Sequence, residues 1–241
     1  MFVNAVRQKL RQLARPSTKE SYERYFKHVI KFHGLKSPAV KQVARDVLPL
    51  LQDEPILTVV GAAFGLLASE YSEEKQIAII VLNRNVRALP DDFLWRLEPV
   101  FDRNVFDWAT CDGIAGRVLR FLLTREADLR RIVEWSLVDH LWRQRASAVA
   151  FVNEARHCRY NDAIIAVCGR VVRNPERFAQ LGVGWVLREL FLADRARAIK
   201  FVRSHHQYMS REGLRYATEK MPAALKQRVL AEHACATRQP G

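Results

Sequence analysis

Gly184-Trp185-Val186-Leu187-Arg188-Glu189 lies inside the apolar-periodic segment Arg177 to Phe191, and its reading decides the fold. Trp185 and Arg188 are three residues apart, which places both on one face of a helix. The pairing recurs upstream as Trp142 with Arg145 and as Trp108 with Asp112. The three segments repeat at roughly the forty-residue period of stacked helical pairs, and each is followed by a second apolar helix. In such an array, equivalent positions of successive repeats line one concave surface. The expectation is therefore an all-α chain, an α-solenoid whose concave groove gathers one acid, two arginines and three indoles.

Working outward, three- and four-residue apolar spacing continues almost end to end. It predicts helices over Val3–Leu13, Tyr22–Phe32, Val40–Leu51, Leu57–Ala68, Glu73–Val86, Phe93–Phe101 and Trp108–Leu123. Beyond these it predicts Leu129–Trp135, Leu141–Val152, Ala163–Val172, Arg177–Phe191, Ala196–Arg203, Arg211–Lys220 and Ala224–His233. Breaks fall at Pro16-Ser17-Thr18, Gly34 to Pro38, Pro55, Leu89-Pro90-Asp91, Asn174-Pro175-Glu176 and Met221-Pro222. Thr18 and Asp91 read as helix starts. No segment alternates with period two, and no Gly-, Ser- or Pro-rich linker divides the chain, so residues 1–241 read as a single domain.

The formal net charge of +13 is the strongest compositional signal. It is spread among amphipathic helices, which favours a folded basic surface over a disordered arm. Nucleic acid is the first candidate partner, with a solvated basic face as the plain alternative. Cys111, Cys158, Cys168 and Cys235 form no CxxC pair and no zinc pattern, and read as thiols in a reducing, cytoplasmic compartment. No apolar run reaches the ~20 residues of a membrane helix, and Ile56 to Ala68, the longest, fits a buried helix. Met1 to Lys19 lacks acids and is amphipathic. It reads either as a targeting segment or as a first helix with Val3, Val6, Leu10 and Leu13 inward.

Catalytic classes narrow by absence. The chain holds no GxSxG, HExxH, Walker A loop or GxGxxG. His205-His206 lacks a third metal ligand and reads as a solvated helix end. His28 and His33 flank the Gly34 turn, either touching phosphate or facing solvent. Asp112 remains. A carboxylate among indoles in a basic groove can stabilise a developing positive charge and orient a water. A sugar leaving a nitrogen base passes through such an oxocarbenium-like state. Hydrolysis of an N-glycosidic bond in DNA, with an alkylated and therefore cationic purine as leaving group, suits these parts. The plainer readings also stand: tryptophans at helical spacing are usually core, Asp112 can pair with Arg117 or Arg145, and Arg145 can brace neighbouring repeats.

At these residues the chain resembles the AlkD-like DNA alkylation repair glycosylases, which are HEAT-like repeat proteins. The motifs are Tyr25-Phe26-Lys27, Gly34-Leu35-Lys36-Ser37-Pro38, Trp108-Ala109-Thr110-Cys111-Asp112, Trp142-Arg143-Gln144-Arg145-Ala146 and Gly184 to Glu189. They span roughly residues 20 to 220 in the family's order. The resemblance implies that Asp112 is the catalytic acid, with Trp108 and Trp185 flanking the deoxyribose. It places Arg145 on the DNA backbone beside the lesion and Tyr25 in the groove. Lys27, Lys36, Trp142, Arg143 and Arg188 are read from the basic groove itself as the rest of the DNA-binding set. Arg188 has a structural alternative, an ion pair with Glu189. The implied substrate is double-stranded DNA with N3- or N7-alkylated purines, including bulky adducts in some relatives. The resemblance also implies that the base is not turned into a pocket and that no metal or organic cofactor is used; with no symmetric-interface signal in the sequence, a monomer is the default expectation. Lys36 departs from the family's glutamine, which bears on lesion preference, since a lysine favours phosphate or repels a cationic lesion. Other relatives lack the acid and only bind branched DNA; a non-catalytic module for bent or branched DNA is the alternative function, and a protein-interaction scaffold a third.

Overall fold

The computed structural model describes residues 1–236, with side chains through His233, so Cys235 lies outside the described side chains. The chain forms two compact units, Met1–Leu122 and Leu123–Gly241. The first holds α1 (Phe2–Gln12), α2 (Pro16–Tyr25), α3 (Ser37–Val47), α4 (Ile56–Leu67), α5 (Ser72–Arg84), α6 (Phe93–Asn104), α7 (Trp108–Ile114) and α8 (Arg120–Leu122). The second holds α9 (Glu126–Glu134), α10 (Leu141–Val149), α11 (Val152–Ala155), α12 (Asn161–Val171), α13 (Arg177–Ala193), α14 (Arg195–His205), α15 (Arg211–Ala217) and α16 (Ala223–Ala236). Among the described residues there is no β-strand, and extended pairing is limited to a parallel bridge between Lys31 and Tyr71. No helix of the described residues is long and apolar enough to cross a membrane. The fold is all-α, built from helical repeats as the periodicity predicts.

Each unit packs helix on helix. In the first, α3 and α4 both lie on α5, and α1 closes over α3 and α4. Val6 and Leu10 of α1, Val40, Val43 and Val47 of α3, and Ile77, Val81 and Leu82 of α5 are fully buried there. Each such side chain contributes about 1.5–3 kcal/mol by leaving water. In α1 the inward residues are Phe2, Val6 and Leu10. Leu13 lies beyond the helix and is exposed, and Val3 is half-buried, so the expected inward set is corrected at both ends. The segment therefore serves as a packed first helix. In α4 only one face is buried: Val59, Val60, Ala63, Leu66 and Leu67 point inward while Leu57 is exposed.

In the second unit α13 is the central helix, packed against α10, α11, α14 and α15. The glycine that opens the 184–189 motif has a steric cause. A Cβ on Gly184 would lie 2.7 Å from the carbonyl oxygen of Gly213, so only glycine lets α13 approach α15 this closely. Gln180, one turn earlier, is buried and ties the loops around this crossing. Its amide donates to the carbonyls of Val172 and Tyr208, and its oxygen accepts from the Ser210 N–H.

One predicted helix is wrong. Tyr22–Phe32 is not continuous: α2 begins at Pro16, where proline suits a first helical turn, and ends at Tyr25. The chain then turns through Lys27 and His28, both in the left-handed region at φ 51° and 58°. Beyond the turn Ile30 and Phe32 are buried with Lys31 exposed between them, a two-residue period too short to register against the helical pattern.

Candidate active site

The acid-bearing element is α7. Its start is fixed by Asp107, whose Oδ1 accepts from the Thr110 N–H at 2.9 Å, a side-chain cap for an orphan helix donor. Trp108 and Asp112 follow one turn apart, and both are half-buried. Directly after Ile114 the helix widens into a π turn over Ala115–Leu119, a local irregularity common at functional sites. The Trp108 indole lies flat against Phe26, with centroids 5.2 Å apart and planes within 7°. Tyr25 meets the same indole edge-on at 6.5 Å and is itself largely exposed. Phe26 and Tyr22 both lie against Phe32, giving a continuous aromatic cluster in which Trp108 is one end.

The loop that supplies Phe26 is held by a residue the sequence did not single out. Glu73 is fully buried, and its carboxylate accepts from three consecutive backbone donors: His33 at 3.0 Å, Gly34 at 2.8 Å and Leu35 at 3.0 Å. Gly34 has φ 97°, and a Cβ there would sit 2.3 Å from the Arg15 carbonyl oxygen, so glycine is required. Glu74 accepts from Arg7 Nε and bonds His33 Nε2. Burial pushes the Glu74 carboxyl up, but the hydrogen bonds from His33 and Arg7 outweigh it and hold the group below the usual carboxylate range. His33 also stacks on Tyr71 at 4.1 Å. Its place is therefore in the interior, which corrects the phosphate or solvent reading; His28 is exposed.

Lys75 is also fully buried. Its ammonium donates to the carbonyls of Leu67 and Asn104, at the ends of α4 and α6, and lies 4.5 Å from the centre of the Phe106 ring. Burial lowers its pKa to about 8, with the Asp107 charge opposing the shift. In the sequence Glu73 marks only the start of a predicted helix, and Glu74 and Lys75 carry no signal of their own. In the structure they are the clamp between the Phe26 loop and the start of α7. Lys27 and Lys36 are exposed, Lys36 as the residue preceding α3.

The second unit holds the other motif residues. Trp142 on α10 and Trp185 on α13 are half-buried, and Trp142 packs against Phe178 at 5.3 Å. Arg145 and Arg143 are buried. Arg145 Nη1 donates to the Phe178 carbonyl at 2.6 Å, tying α10 to α13, while the Arg143 guanidinium lies over the buried Trp135 ring. Arg188 donates through Nε and Nη2 to Glu189 and through Nη1 to Glu219. Burial alone would lower its pKa, but these bonds raise it. Glu189, likewise raised by burial and lowered by its arginine partners Arg156 and Arg188, ends below the usual range. The ion pair offered as the structural alternative for Arg188 is present.

Nucleophile chemistry elsewhere is weak. Burial pushes the Cys168 thiol up to about 12, so it stays protonated. Cys158 and Cys168 are free thiols, and no cluster of three or more metal-ligating side chains occurs among the described residues.

A family model described as DNA alkylation repair enzyme matches residues 6–221. Among solved structures, the chain is similar to one described as a predicted DNA alkylation repair enzyme from Enterococcus faecalis. That likeness has a TM-score of 0.78 at 15% identity, and covers 87% of this chain and 97% of that one. At that identity it speaks for the fold alone. None of the curated proteins compared matches. With the family model running through nearly the whole fold, α7 and its aspartate included, the chain belongs to the DNA alkylation repair enzyme family.

Proposed function

We propose that the protein is a monofunctional DNA glycosylase hydrolysing the N-glycosidic bond of N3- and N7-alkylated purines in double-stranded DNA. The observation that carries this reading is Asp112, half-buried one turn after a tryptophan that is stacked on Phe26, in a chain of net charge +13. The alkylated ring is already cationic. When the bond from C1′ to the base nitrogen breaks, its electron pair neutralises the ring, so no proton donor is needed. The positive charge passes to the sugar, and the Asp112 carboxylate stabilises it. The same carboxylate orients the water whose oxygen then bonds C1′ and receives its proton.

In this reading the indoles of Trp108 and Trp185 flank the sugar, and Tyr25 and Trp142 present aromatic surface to the duplex. Lys27 and Lys36, both exposed, take phosphates. Arg143 and Arg145 are nearly buried and Arg188 is ion-paired. Their contribution is to hold Trp142 and the 177–193 helix in place, with phosphate contact limited to the surface each retains. The protein acts as a monomer without metal or organic cofactor.

The test is incubation with methylated genomic DNA and chromatography of the released bases. Release of 3-methyladenine or 7-methylguanine supports the reading. Salt-sensitive duplex binding with no released base would instead make the protein a non-catalytic module for bent or branched DNA.

A further inference from the structure

Helix α7, which carries Trp108 and Asp112, rests on α5. Beyond Asp112, Gly113 lies against Ile79, where a Cβ would come within 2.8 Å of the Ile79 Cδ1. Lys75 stands four residues before Ile79, on the same face of α5. Its ammonium donates to the carbonyl of Leu67 at 3.0 Å and to that of Asn104, the last residues of α4 and α6. Both carbonyls belong to helix C-termini, where unpaired acceptors and the negative end of the helix dipole coincide. The same ammonium lies over the face of Phe106, just ahead of α7.

Asp107 adds a third negative group. It is buried, its Oδ1 caps α7, and its Oδ2 has no hydrogen-bond partner among the described residues. A buried carboxylate with a bare oxygen needs a cation close by, and Lys75 is the cation that attracts it. The charged residues beside Lys75 on α5 and at the two helix ends are taken up elsewhere. Glu73 serves the 33–35 backbone, Glu74 serves Arg7 and His33, and Glu70 pairs with Lys31. Arg103 donates to the Pro99 carbonyl, and Asp102 is exposed. Burial opposes the Lys75 charge, so the ammonium is held there at a cost to stability. Without it, two helix-end carbonyls and a carboxylate would be left facing one another where α7 begins.

We propose that Lys75 is a positioning residue for base release: its charge seats the first turn of α7, and so fixes Trp108 and the Asp112 carboxylate in the geometry the reaction needs. The role rests on the glycosylase reading. Lys75 itself touches no substrate, being fully buried. The seat is sensitive to alkali, because the attraction for Asp107 and for the two helix ends goes with the proton, above about pH 8.

Two measurements on the whole protein test it. Hydrogen exchange at pH 7 compares the unmodified protein with Lys75→Met, which keeps the length of the side chain and loses its charge. The amides of Thr110 to Gly113 should exchange at least about ten-fold faster in Lys75→Met, while those of α3 and α10 keep their rates and show that the variant folds. The second measurement is single-turnover release of 7-methylguanine from methylated duplex at saturating protein. The unmodified protein should lose at least about ten-fold in rate between about pH 7 and pH 9.5, and Lys75→Met should be slow and flat across the same range. A lysine that only stabilised the fold would leave no alkaline limb for the variant to lose. The pH profile of the unmodified protein needs no variant, so it decides even if Lys75→Met does not fold. Unchanged exchange in α7, a parental alkaline limb in Lys75→Met, or a rate in the unmodified protein that holds to pH 9.5 each overturns the proposal and leaves the glycosylase standing. If the unmodified protein frees no base at any pH, the glycosylase reading fails and the role of Lys75 falls with it.

Discussion

At Asp112, a neutral amide keeps the shape of the side chain and removes its charge. Asp112→Asn should therefore retain duplex affinity within about two-fold and lose at least a hundred-fold in base release, about 2.7 kcal/mol of barrier. Chromatographic release rates beside gel-shift affinities check this. Glu73 makes the opposite prediction. It touches no substrate, but Glu73→Ala strips three buried backbone donors of their acceptor. The expected cost is about 2–5 kcal/mol of folding stability in urea unfolding. The sequence exposed Asp112 because a tryptophan stood four residues before it, and it exposed Arg188 and Glu189 as a pair. It hid Glu73 because a glutamate near a helix start is normally solvated. Only the backbone geometry around Gly34, which lies far away in the chain, shows what the carboxylate is for. Phe26 was in view within the Tyr25-Phe26-Lys27 motif, yet nothing in one dimension announced its stack on Trp108.

At the level of elements, the helices that pack through a regular apolar stripe were legible, and α3 through α7 begin within a few residues of their predicted starts. The 22–32 stretch was not, because Phe26 and Ile30 imitate helical spacing while Lys27 and His28 adopt left-handed backbone that no side-chain pattern betrays. The π turn after Ile114 was equally silent, since its residues keep an ordinary apolar stripe. Lys75 joins α4, α6 and the start of α7, and its pH behaviour is open to measurement. Its folded-state pKa of about 8 lies below the ordinary lysine value, so between about pH 8 and 10 the unfolded chain holds the proton more tightly. The stability of the unmodified protein relative to Lys75→Met should rise with pH in that window, by at most about 1.4 kcal/mol per unit. Below pH 8 this dependence disappears. Urea midpoints at stepped pH values report both.

For the whole molecule, the charge of +13 governs encounter with DNA. Each phosphate contact contributes about 0.9 to the slope of log affinity against log salt. Lys27→Ala and Lys36→Ala should each lower that slope by about one and weaken binding alike for damaged and undamaged duplexes. Titrations between 50 and 200 mM salt, chosen on the same counterion argument, measure it. Family membership was legible at this scale because five short motifs kept their order, although each taken alone was modest. The aromatic cluster ending in Trp108 was not, for Tyr22 and Phe26, Phe32, and Trp108 come from three separate stretches of chain that only folding assembles.

Four successive side chains at the head of α5 answer to four different neighbours. Glu73 serves the 33–35 backbone, Glu74 serves α1 and His33, Lys75 serves the ends of α4 and α6, and Gln76 opens on a cavity walled by Tyr22, Tyr25, Phe26 and Phe32. Inserting one residue there would rotate everything behind it by about 100° and misplace all four at once. The first three have no room to drift, whereas Gln76 bonds only within its own helix. Substitution at position 76 is therefore expected to leave the packing of the first unit intact, where a change at 73, 74 or 75 would not.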